Sequence, residues 1–266
     1  MSLNLKASRF PELSTQYLGK PFFHVNTTES TQTLLKTLLQ EGHQEGTAVL
    51  CDHQIQGKGS RGRKWFNLPK PQIYLSIALT QEMFAPTPIS ALNIALGIVM
   101  VNIIRHFGIQ SCYLKWPNDI YIHQRKLCGI LSDLVQLKPH RTFIASGIGL
   151  NYEGTPEEFP DELKETGTVL SEHLAPLPSR FELIASYLHE LEVYLKLLQK
   201  DGETRLVSDF ERLWIFKDKV IQIQLDGTLF EGLANTIDRN GALLLETPNK
   251  MLKIYSGEIL MTKTID

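Results

Sequence analysis

The sequence predicts an α+β protein, in which a mixed sheet packs with helices and is followed by a small β-rich C-terminal module. Three observations predict this class. Hydrophobic residues make up 42% of the 266-residue chain, enough for a sizeable core. Strand-like and helix-like segments are interspersed as far as about Lys217, and only short strand-like runs follow. We therefore expect two domains, residues 1–217 and residues 218–266.

Two helices are expected among the first strands. Ser30 is suited to cap a helix over residues 31–40, because serine side chains accept hydrogen bonds from the first turn. The apolar segment 89–104 contains two asparagines and, at 16 residues, is shorter than the ~20 of a membrane span. We expect a buried helix over about 88–107 instead. Strands are predicted over residues 21–25, 47–52, 73–79, 111–116, 120–123, 127–137 and 142–150, with a turn at 138–140.

The C-terminal half begins with the clearest helix. Ser179 and Glu182 have the spacing of a capping box, and Gly202 is placed to end an amphipathic helix that starts there. A second helix is predicted over residues 203–216. Strands follow over residues 220–225, 229–237, 242–246 and 252–256, separated by turn signals that include Asp226-Gly227. About fifty residues of this kind suit a small barrel-like module.

Bulk composition argues against several classes of protein. The net charge of −2 does not fit a dedicated nucleic-acid binder, which usually presents a broad basic face. The three cysteines lack the spacing of a disulfide framework, so we expect reduced thiols and a cytoplasmic protein. No secretory signal is visible, and the histidines have no metal-binding spacing. We predict no metal held by protein ligands alone and no membrane partner.

A basic, glycine-rich loop over residues 54–65 is the strongest local signal. Three glycines and four basic side chains fall within the eight residues from Gly57 to Lys64. Glycine permits close approach of the backbone to a ligand, and Arg and Lys bind anionic oxygens. The pattern favours a small anionic ligand. A solvated basic turn and a nucleic-acid contact are the alternatives.

Three further clusters lie at the ends of predicted strands. In Lys115-Trp116-Pro117-Asn118-Asp119 the proline keeps Trp116 extended, so the polar pair projects from a strand end, although an ordinary turn has the same composition. Lys126 opens an apolar strand and is placed to grip an anion or to lie in water. Residues 147–151, Gly-Ile-Gly-Leu-Asn, lack the dinucleotide-binding spacing, but their glycines let a flat ligand or another backbone pack closely.

Together these motifs resemble biotin protein ligase (biotin–[acetyl-CoA-carboxylase] ligase). The resemblance also includes Glu29-Ser30-Thr31-Gln32 and the C-terminal Ser256-Gly257-Glu258-Ile259, and it covers about residue 20 to the end. It implies a class II synthetase-like catalytic domain and an SH3-like C-terminal barrel. It also implies an ATP- and Mg²⁺-dependent reaction that forms biotinyl-5′-AMP. A lysine of the biotin carboxyl carrier protein then takes the biotin.

The resemblance also implies roles for single residues. Lys126 grips the biotin carboxylate and the adenylate phosphate, Asp119 orients or deprotonates the incoming lysine, and Arg61 completes the catalytic set. The implied biotin-binding residues are Ser30, Thr31, Gln54, Gly57, Lys58, Ser60, Lys126 and Gly129. The implied ATP-binding residues are Arg61, Arg63, Trp65, Asn118, Asp119, Lys126 and Asn151.

This chain departs from the family pattern at two points. Ser60 replaces an arginine associated with holding the adenylate, so we expect the intermediate to be retained less firmly. Because the strand at 21–25 already resembles the start of the catalytic domain, we expect no DNA-binding repressor domain and no DNA partner.

Three alternative functions remain open from the sequence. They are a lipoate-type acyl-adenylate ligase, a nucleic-acid-binding module that uses the basic loop on phosphates, and a catalytically inactive binding protein. The oligomeric state, monomer or homodimer, is also open.

Overall fold

The computed structural model describes residues 5–83, 88–137, 141–225 and 227–260, and its largest element is a seven-stranded mixed sheet. Its strands are β1 (Phe22–Thr28), β2 (Ala48–Gln54), β3 (Ile73–Leu79), β4 (Cys112–Lys115), β5 (Asp119–Ile122), β6 (Arg125–Leu137) and β7 (Arg141–Leu150). The spatial order is β1-β2-β3-β7-β6-β5-β4. Strands β1 and β2 are parallel and the other pairs are antiparallel. The predicted turn at 138–140 lies outside the described residues.

Helices cover both faces of this sheet, which confirms the predicted fold class. Helix α1 (Thr31–Gln40) packs over β2, β3 and β7. Helix α2 (Ile89–His106) packs on the opposite face over β4, β5 and β6. Two further helices, α4 (Arg180–Asp201) and α5 (Glu203–Leu213), pack on α2 and complete that layer, and a four-residue helix, α3 (Asp161–Lys164), precedes them. Each face has its own apolar core.

Helix α2 is the structural centre of the larger core. Its 18 residues are long and apolar enough to cross a membrane by length and composition alone. The protein itself buries 67% of them, against the sheet and against α4 and α5. The asparagines within the helix remain compatible with that core, since Asn93 accepts a hydrogen bond of 2.6 Å from Ser132 on β6. Helix α2 is therefore a core helix, as predicted.

The two predicted helix caps differ in outcome. Ser179 Oγ accepts a hydrogen bond of 3.1 Å from the Glu182 amide, and Gly202 ends α4 at φ 69°, so both expectations for α4 are confirmed. Ser30 occupies the cap position of α1, but its side chain makes no capping hydrogen bond. The Thr31 amide instead donates to Gln54 Oε1 at 2.8 Å. A residue from β2 therefore serves the start of α1.

A second, five-stranded antiparallel sheet forms the C-terminal part. It contains β8 (Val220–Leu225), β9 (Thr228–Ile237), β10 (Leu243–Glu246), β11 (Met251–Ile254) and β12 (Glu258–Leu260), in the order β11-β10-β9-β8-β12. The sequence did not predict β12, nor α3 and the short helical turns between 156 and 172. Asp226, half of a predicted turn, lies outside the described residues. The domain division at 217/218 and the SH3-like closure remain our proposals, and the new sheet begins at Val220.

The two sheets are joined close to the end of β4. Trp116, 1% exposed, donates from Nε1 to the Gly241 carbonyl at 2.9 Å. Ser90 Oγ donates to the neighbouring Asn240 carbonyl at 2.8 Å. Gly241 has φ 79°, and a Cβ there would lie 2.9 Å from the Ala91 backbone nitrogen. This junction fixes the second sheet against the segment that carries Asn118 and Asp119.

Candidate active site

The candidate site is a pocket on the face of the large sheet that carries α1. The N-terminus of α1, the basic loop, the β4–β5 connection and strands β6 and β7 contribute to it. It gathers most of the predicted site residues: Ser30, Thr31, Gln54, Lys58, Ser60, Trp65, Asn118, Asp119, Lys126 and Gly129. The pocket is also lined by residues that were outside the predicted catalytic, biotin-binding and ATP-binding sets: Gln32, Gly59, Ile130, Leu131, Gly147, Ile148 and Gly149.

The charged centre of the pocket is an ion pair between Lys126 and Asp119. Lys126 Nζ lies 2.7 Å from Asp119 Oδ1, and the two side chains are 30% and 20% exposed. Strands β5 and β6 are antiparallel, and a register shift just after Ile120 leaves Asp119 opposite Gly129 and Tyr121 opposite Lys126. The backbone of Lys126 is held on its other side, where its amide donates to the Thr166 carbonyl at 2.7 Å and its carbonyl accepts from the Thr168 amide at 3.0 Å.

A polar end of the pocket is built on the first turn of α1. Gln54 Oε1 accepts from the Thr31 hydroxyl at 3.2 Å as well as from the Thr31 amide. The Ser76 hydroxyl of β3 donates to Thr31 Oγ1 at 2.8 Å. Gln32 Nε2 donates to the carbonyls of Leu131 and Ala145, at 2.6 Å and 3.1 Å. These bonds fix a helix N-terminus, which carries partial positive charge and unpaired amides, against the sheet.

The glycines of β6 and β7 make room for the Trp65 indole. Gly129 and Gly149 are register partners on adjacent strands. A Cβ added to either would lie 2.7 Å from an atom of the Trp65 ring, closer than packing allows. Lys126 Nζ lies 5.4 Å from the ring centroid, a cation–π distance. At Gly149, where a flat ligand or another backbone was expected, the structure places this chain's own Trp65 ring.

The basic loop is a short hairpin. The Trp65 amide donates to the Gly57 carbonyl at 2.9 Å, and the Gly59 amide donates to the Arg63 carbonyl at 2.7 Å. Gly57 is required at the base, since a Cβ there would lie 2.7 Å from the Trp65 carbonyl oxygen. Arg61 at the tip has φ 58° and ψ 34°, in the left-handed region.

The loop cations divide between the pocket and its rim. Lys58 lines the pocket. Arg61 and Arg63 do not line it and instead approach Glu258 of β12, with Nη1 to carboxylate distances of 3.8 Å and 3.2 Å. Arg63 Nη2 also donates to the Ser60 hydroxyl at 3.4 Å. Glu258 had no predicted role, because nothing in the local pattern indicates that β12 reaches the loop.

The two predicted asparagines lie in different places. Asn118 lines the pocket, and its Nδ2 donates to the Ile130 carbonyl at 2.6 Å. Asn151 is only 6% exposed and does not line the pocket. Its Nδ2 donates to the Thr168 carbonyl at 3.0 Å, within the segment that holds the Lys126 backbone. A nucleotide contact for Asn151 remains a prediction, and the observed geometry gives it a supporting position behind Lys126.

Lys115 lies next to Asp119, close to the two pocket-lining lysines Lys58 and Lys126, and the sequence indicated no role for it. It is the register partner of Asp119 across β4 and β5. Its Nζ lies 4.9 Å from the Tyr121 ring centroid and 3.4 Å from the Tyr121 hydroxyl. Burial lowers the pKa of the Lys115 ammonium, and the charge of Asp119 partly opposes that change. Among the described residues no group of three His, Cys, Asp or Glu side chains is arranged to hold a metal ion.

A mixed sheet, a helix N-terminus, a basic hairpin and a Lys–Asp pair meet at one pocket, and this arrangement is of the kind that suits an anionic small molecule. Comparison with known proteins identifies the family. Residues 25–151 match the biotin/lipoate A/B protein ligase family, and residues 219–261 match the biotin protein ligase C-terminal domain.

Curated relatives support the same conclusion. The bifunctional ligase/repressor BirA of Bacillus subtilis is 32% identical over 93% of this chain and 76% of its own length. BirA of Escherichia coli is 31% identical over 80% of this chain, a match that spans 66% of that protein. The biotin protein ligase of Aquifex aeolicus, solved in complex with biotin and ATP, superposes with a TM-score of 0.78 at 25% identity, covering 91% of this chain and 98% of that one. The chain belongs to the biotin protein ligase family.

Proposed function

We propose that this protein joins biotin to ATP as biotinyl-5′-AMP and then transfers the biotin to a lysine of the biotin carboxyl carrier protein of acetyl-CoA carboxylase. The Lys126–Asp119 pair at the centre of the pocket carries the proposal, because the first half-reaction needs a cation between two anions and the second needs a carboxylate beside the attacking amine. The Mycobacterium tuberculosis relative, 26% identical over 81% of this chain, is named for the carboxylase reaction. The C-terminal match is to a biotin ligase domain, which favours biotin over lipoate.

In the first half-reaction two anions must approach each other. A carboxylate oxygen of biotin attacks the α-phosphorus of ATP, and the bond to the bridging oxygen breaks, so pyrophosphate leaves. Lys126 neutralises the carboxylate and the α-phosphate, which lowers the barrier where negative charge accumulates. Ser30 and Thr31 at the start of α1, together with Gln54 at the end of β2, provide donors and acceptors for the uncharged ring of biotin.

In the second half-reaction the carrier lysine attacks the acyl carbon of the mixed anhydride, and the C–O bond to AMP breaks. The attacking amine must lose a proton. Asp119 is suited to accept it or to orient the amine, because Lys126 exchanges its carboxylate partner for the oxygens of the adenylate once the ligand is bound. The loop hairpin over the pocket restricts water, which would hydrolyse the anhydride.

Mg²⁺ accompanies ATP in this proposal and screens the phosphate charges. The residues present fit a cation held mainly by phosphates, since Mg²⁺ commonly takes only one or two protein carboxylates and Asp119 lines the pocket. We also infer a cytoplasmic location, supported by three cysteines that are free and buried. The basic loop supports a pocket function rather than nucleic-acid binding, because Lys58 lines the pocket and the net charge of −2 does not fit a broad basic face.

The test is incubation of the protein with ATP, Mg²⁺, biotin and a carrier domain. Biotin-dependent exchange of labelled pyrophosphate into ATP reports the first step, and a mass gain of the carrier reports the second. Exchange driven by lipoate in place of biotin would overturn the substrate assignment. No exchange with either acid would favour the inactive binding protein.

A further inference from the structure

The contact between Glu258 and the basic loop joins two parts of the chain that are nearly 200 residues apart. Glu258 is the first residue of β12, at the edge of the C-terminal sheet. Its two carboxylate oxygens contact different arginines, Oε2 with Arg61 Nη1 at 3.8 Å and Oε1 with Arg63 Nη1 at 3.2 Å. One carboxylate therefore holds both arginines of the hairpin tip.

The sheet that carries Glu258 is fixed relative to the pocket. Gly257, the preceding residue, packs so closely that a Cβ there would lie 2.6 Å from a methyl carbon of Ile223 and 3.6 Å from the Trp116 ring. Trp116 is in turn hydrogen-bonded to Gly241 of the same C-terminal part. Because Trp116 lies three residues before Asp119, Glu258 and the catalytic carboxylate share one rigid support.

The local charge explains what Glu258 does for the loop. Arg61, Arg63 and Lys115 place positive charge close to Glu258. Burial lowers the pKa of the Lys115 ammonium, the charge of Arg63 lowers it further, and the charge of Glu258 raises it. Like charges on a glycine-rich loop repel one another and favour an open, variable arrangement. A carboxylate between the arginines opposes that repulsion. Each arginine uses Nη1 for this contact, and Arg63 Nη2 also donates to the Ser60 hydroxyl at 3.4 Å, so part of each planar guanidinium remains for a phosphate.

We propose that Glu258 is a positioning residue for ATP: it holds Arg61 and Arg63 at the rim of the pocket before the nucleotide arrives, so the C-terminal sheet takes part in adenylation. This inference rests on the proposed function. It assigns Glu258 no contact with biotin and no part in the chemistry. The loop is thereby prepared for a nucleotide, and part of the ordering cost of binding is met in advance.

The test compares Glu258→Gln with Glu231→Gln in the full-length protein. Glu231 is a matched control, since it lies on the same sheet and accepts a hydrogen bond from Gln222 at 2.8 Å away from the loop. In the biotin-dependent pyrophosphate exchange assay, we expect Glu258→Gln to raise the KM for ATP about two- to fivefold, the size of one partly exposed ion pair. The KM for biotin and the kcat should stay close to wild type. Glu231→Gln should change none of these.

A second measurement needs no activity. Trypsin cleaves after Lys and Arg, so ligand-free Glu258→Gln should be cut within 58–64 faster than wild type, while cleavage elsewhere is unchanged. Because the Glu258 side chain is 45% exposed, the variant should fold, and an unchanged Tm checks this. An unchanged or lower KM for ATP, or equal loop cleavage, would overturn the role of Glu258. Absence of exchange in the wild type would instead refute the proposed function, and the proteolysis result would still stand.

Discussion

Replacement of Lys126 by methionine removes the cation at the centre of the pocket and keeps the length of an unbranched, apolar side chain. The ammonium lies 2.7 Å from Asp119 Oδ1 and 5.4 Å above the Trp65 ring. Removal of one preorganised donor to a developing anion typically costs about 10²- to 10³-fold in kcat, or about 3–4 kcal/mol. We expect a loss of at least this size in biotin-dependent pyrophosphate exchange.

The expected stability change is smaller than the loss of rate. The Lys126→Met substitution leaves the Asp119 carboxylate without its cation, but that side chain is still 20% exposed and keeps access to water. We therefore expect a cost of about 1 kcal/mol, below that of a fully buried broken pair. Urea unfolding of the variant measures this cost directly. A large rate loss with near-normal stability separates the role of Lys126 in the reaction from a role in folding.

A second lysine provides the control for this experiment. Lys164 Nζ lies 2.6 Å from Asp161 Oδ1 on the short helix α3, away from the pocket. Lys164→Met removes an ion pair of the same chemical type and should leave exchange unchanged. If Lys126→Met retained exchange within about threefold of wild type, less than 1 kcal/mol of transition-state stabilisation, the assignment of the anion-binding centre to Lys126 would be wrong.

Three further predictions concern the pocket and the core. Gly149→Ala should displace the Trp65 ring, since the new Cβ would lie 2.7 Å from it, and titration calorimetry should show weaker biotin binding, whereas unchanged affinity would contradict this packing. Ser60→Arg should slow release of biotinyl-AMP in a chase experiment, and an unchanged off-rate would refute our hypothesis for Ser60. Burial alone would raise the pKa of Glu192, but three backbone amides and Lys196 hold it below its ordinary value. Glu192→Gln should therefore lower the free energy of unfolding by about 1–3 kcal/mol at pH 7, as measured by urea unfolding. Because the pKa of Glu192 is lower in the folded protein than its ordinary value of 4.5, the stability difference between wild type and variant should shrink as the pH falls below about 4.5 and through the folded-state pKa. A gap that did not narrow as the pH fell below about 4.5 would contradict the assignment.

The sequence predicts those features that depend on local pattern. Apolar spacing located α2 and α4, and the Ser179 cap is present because serine and the Glu182 amide lie within one helical turn. Several motif residues also line the pocket, because the segments that carry them follow or open strands of one sheet: Lys58, Ser60, Trp65, Asn118, Asp119 and Lys126. Local chemistry and the position of a residue on its element were sufficient for these predictions.

Features set by register and by distant contacts could not be predicted in this way. Gly129 and Gly149 receive Trp65 only because β6 and β7 pair with these residues opposite each other, and no local signal fixes that register. Asn151 was assigned to the nucleotide from its motif, yet its amide supports the segment behind Lys126. The three-residue strand β12 was missed because so short a run carries no measurable alternation.

The position of β12 links these gaps to the mechanism. A ligase of the proposed kind needs a loop that can open to admit its ligands and that keeps its cations close to the pocket, so the loop itself cannot be a stable element. Its composition, rich in glycine and cations, favours openness. An ordering contact must then come from outside the loop and must be weak enough to break, and the half-exposed Glu258 carboxylate on a rigidly docked sheet meets both conditions. Replacement of that carboxylate should therefore change how the protein uses ATP before it changes how the protein folds.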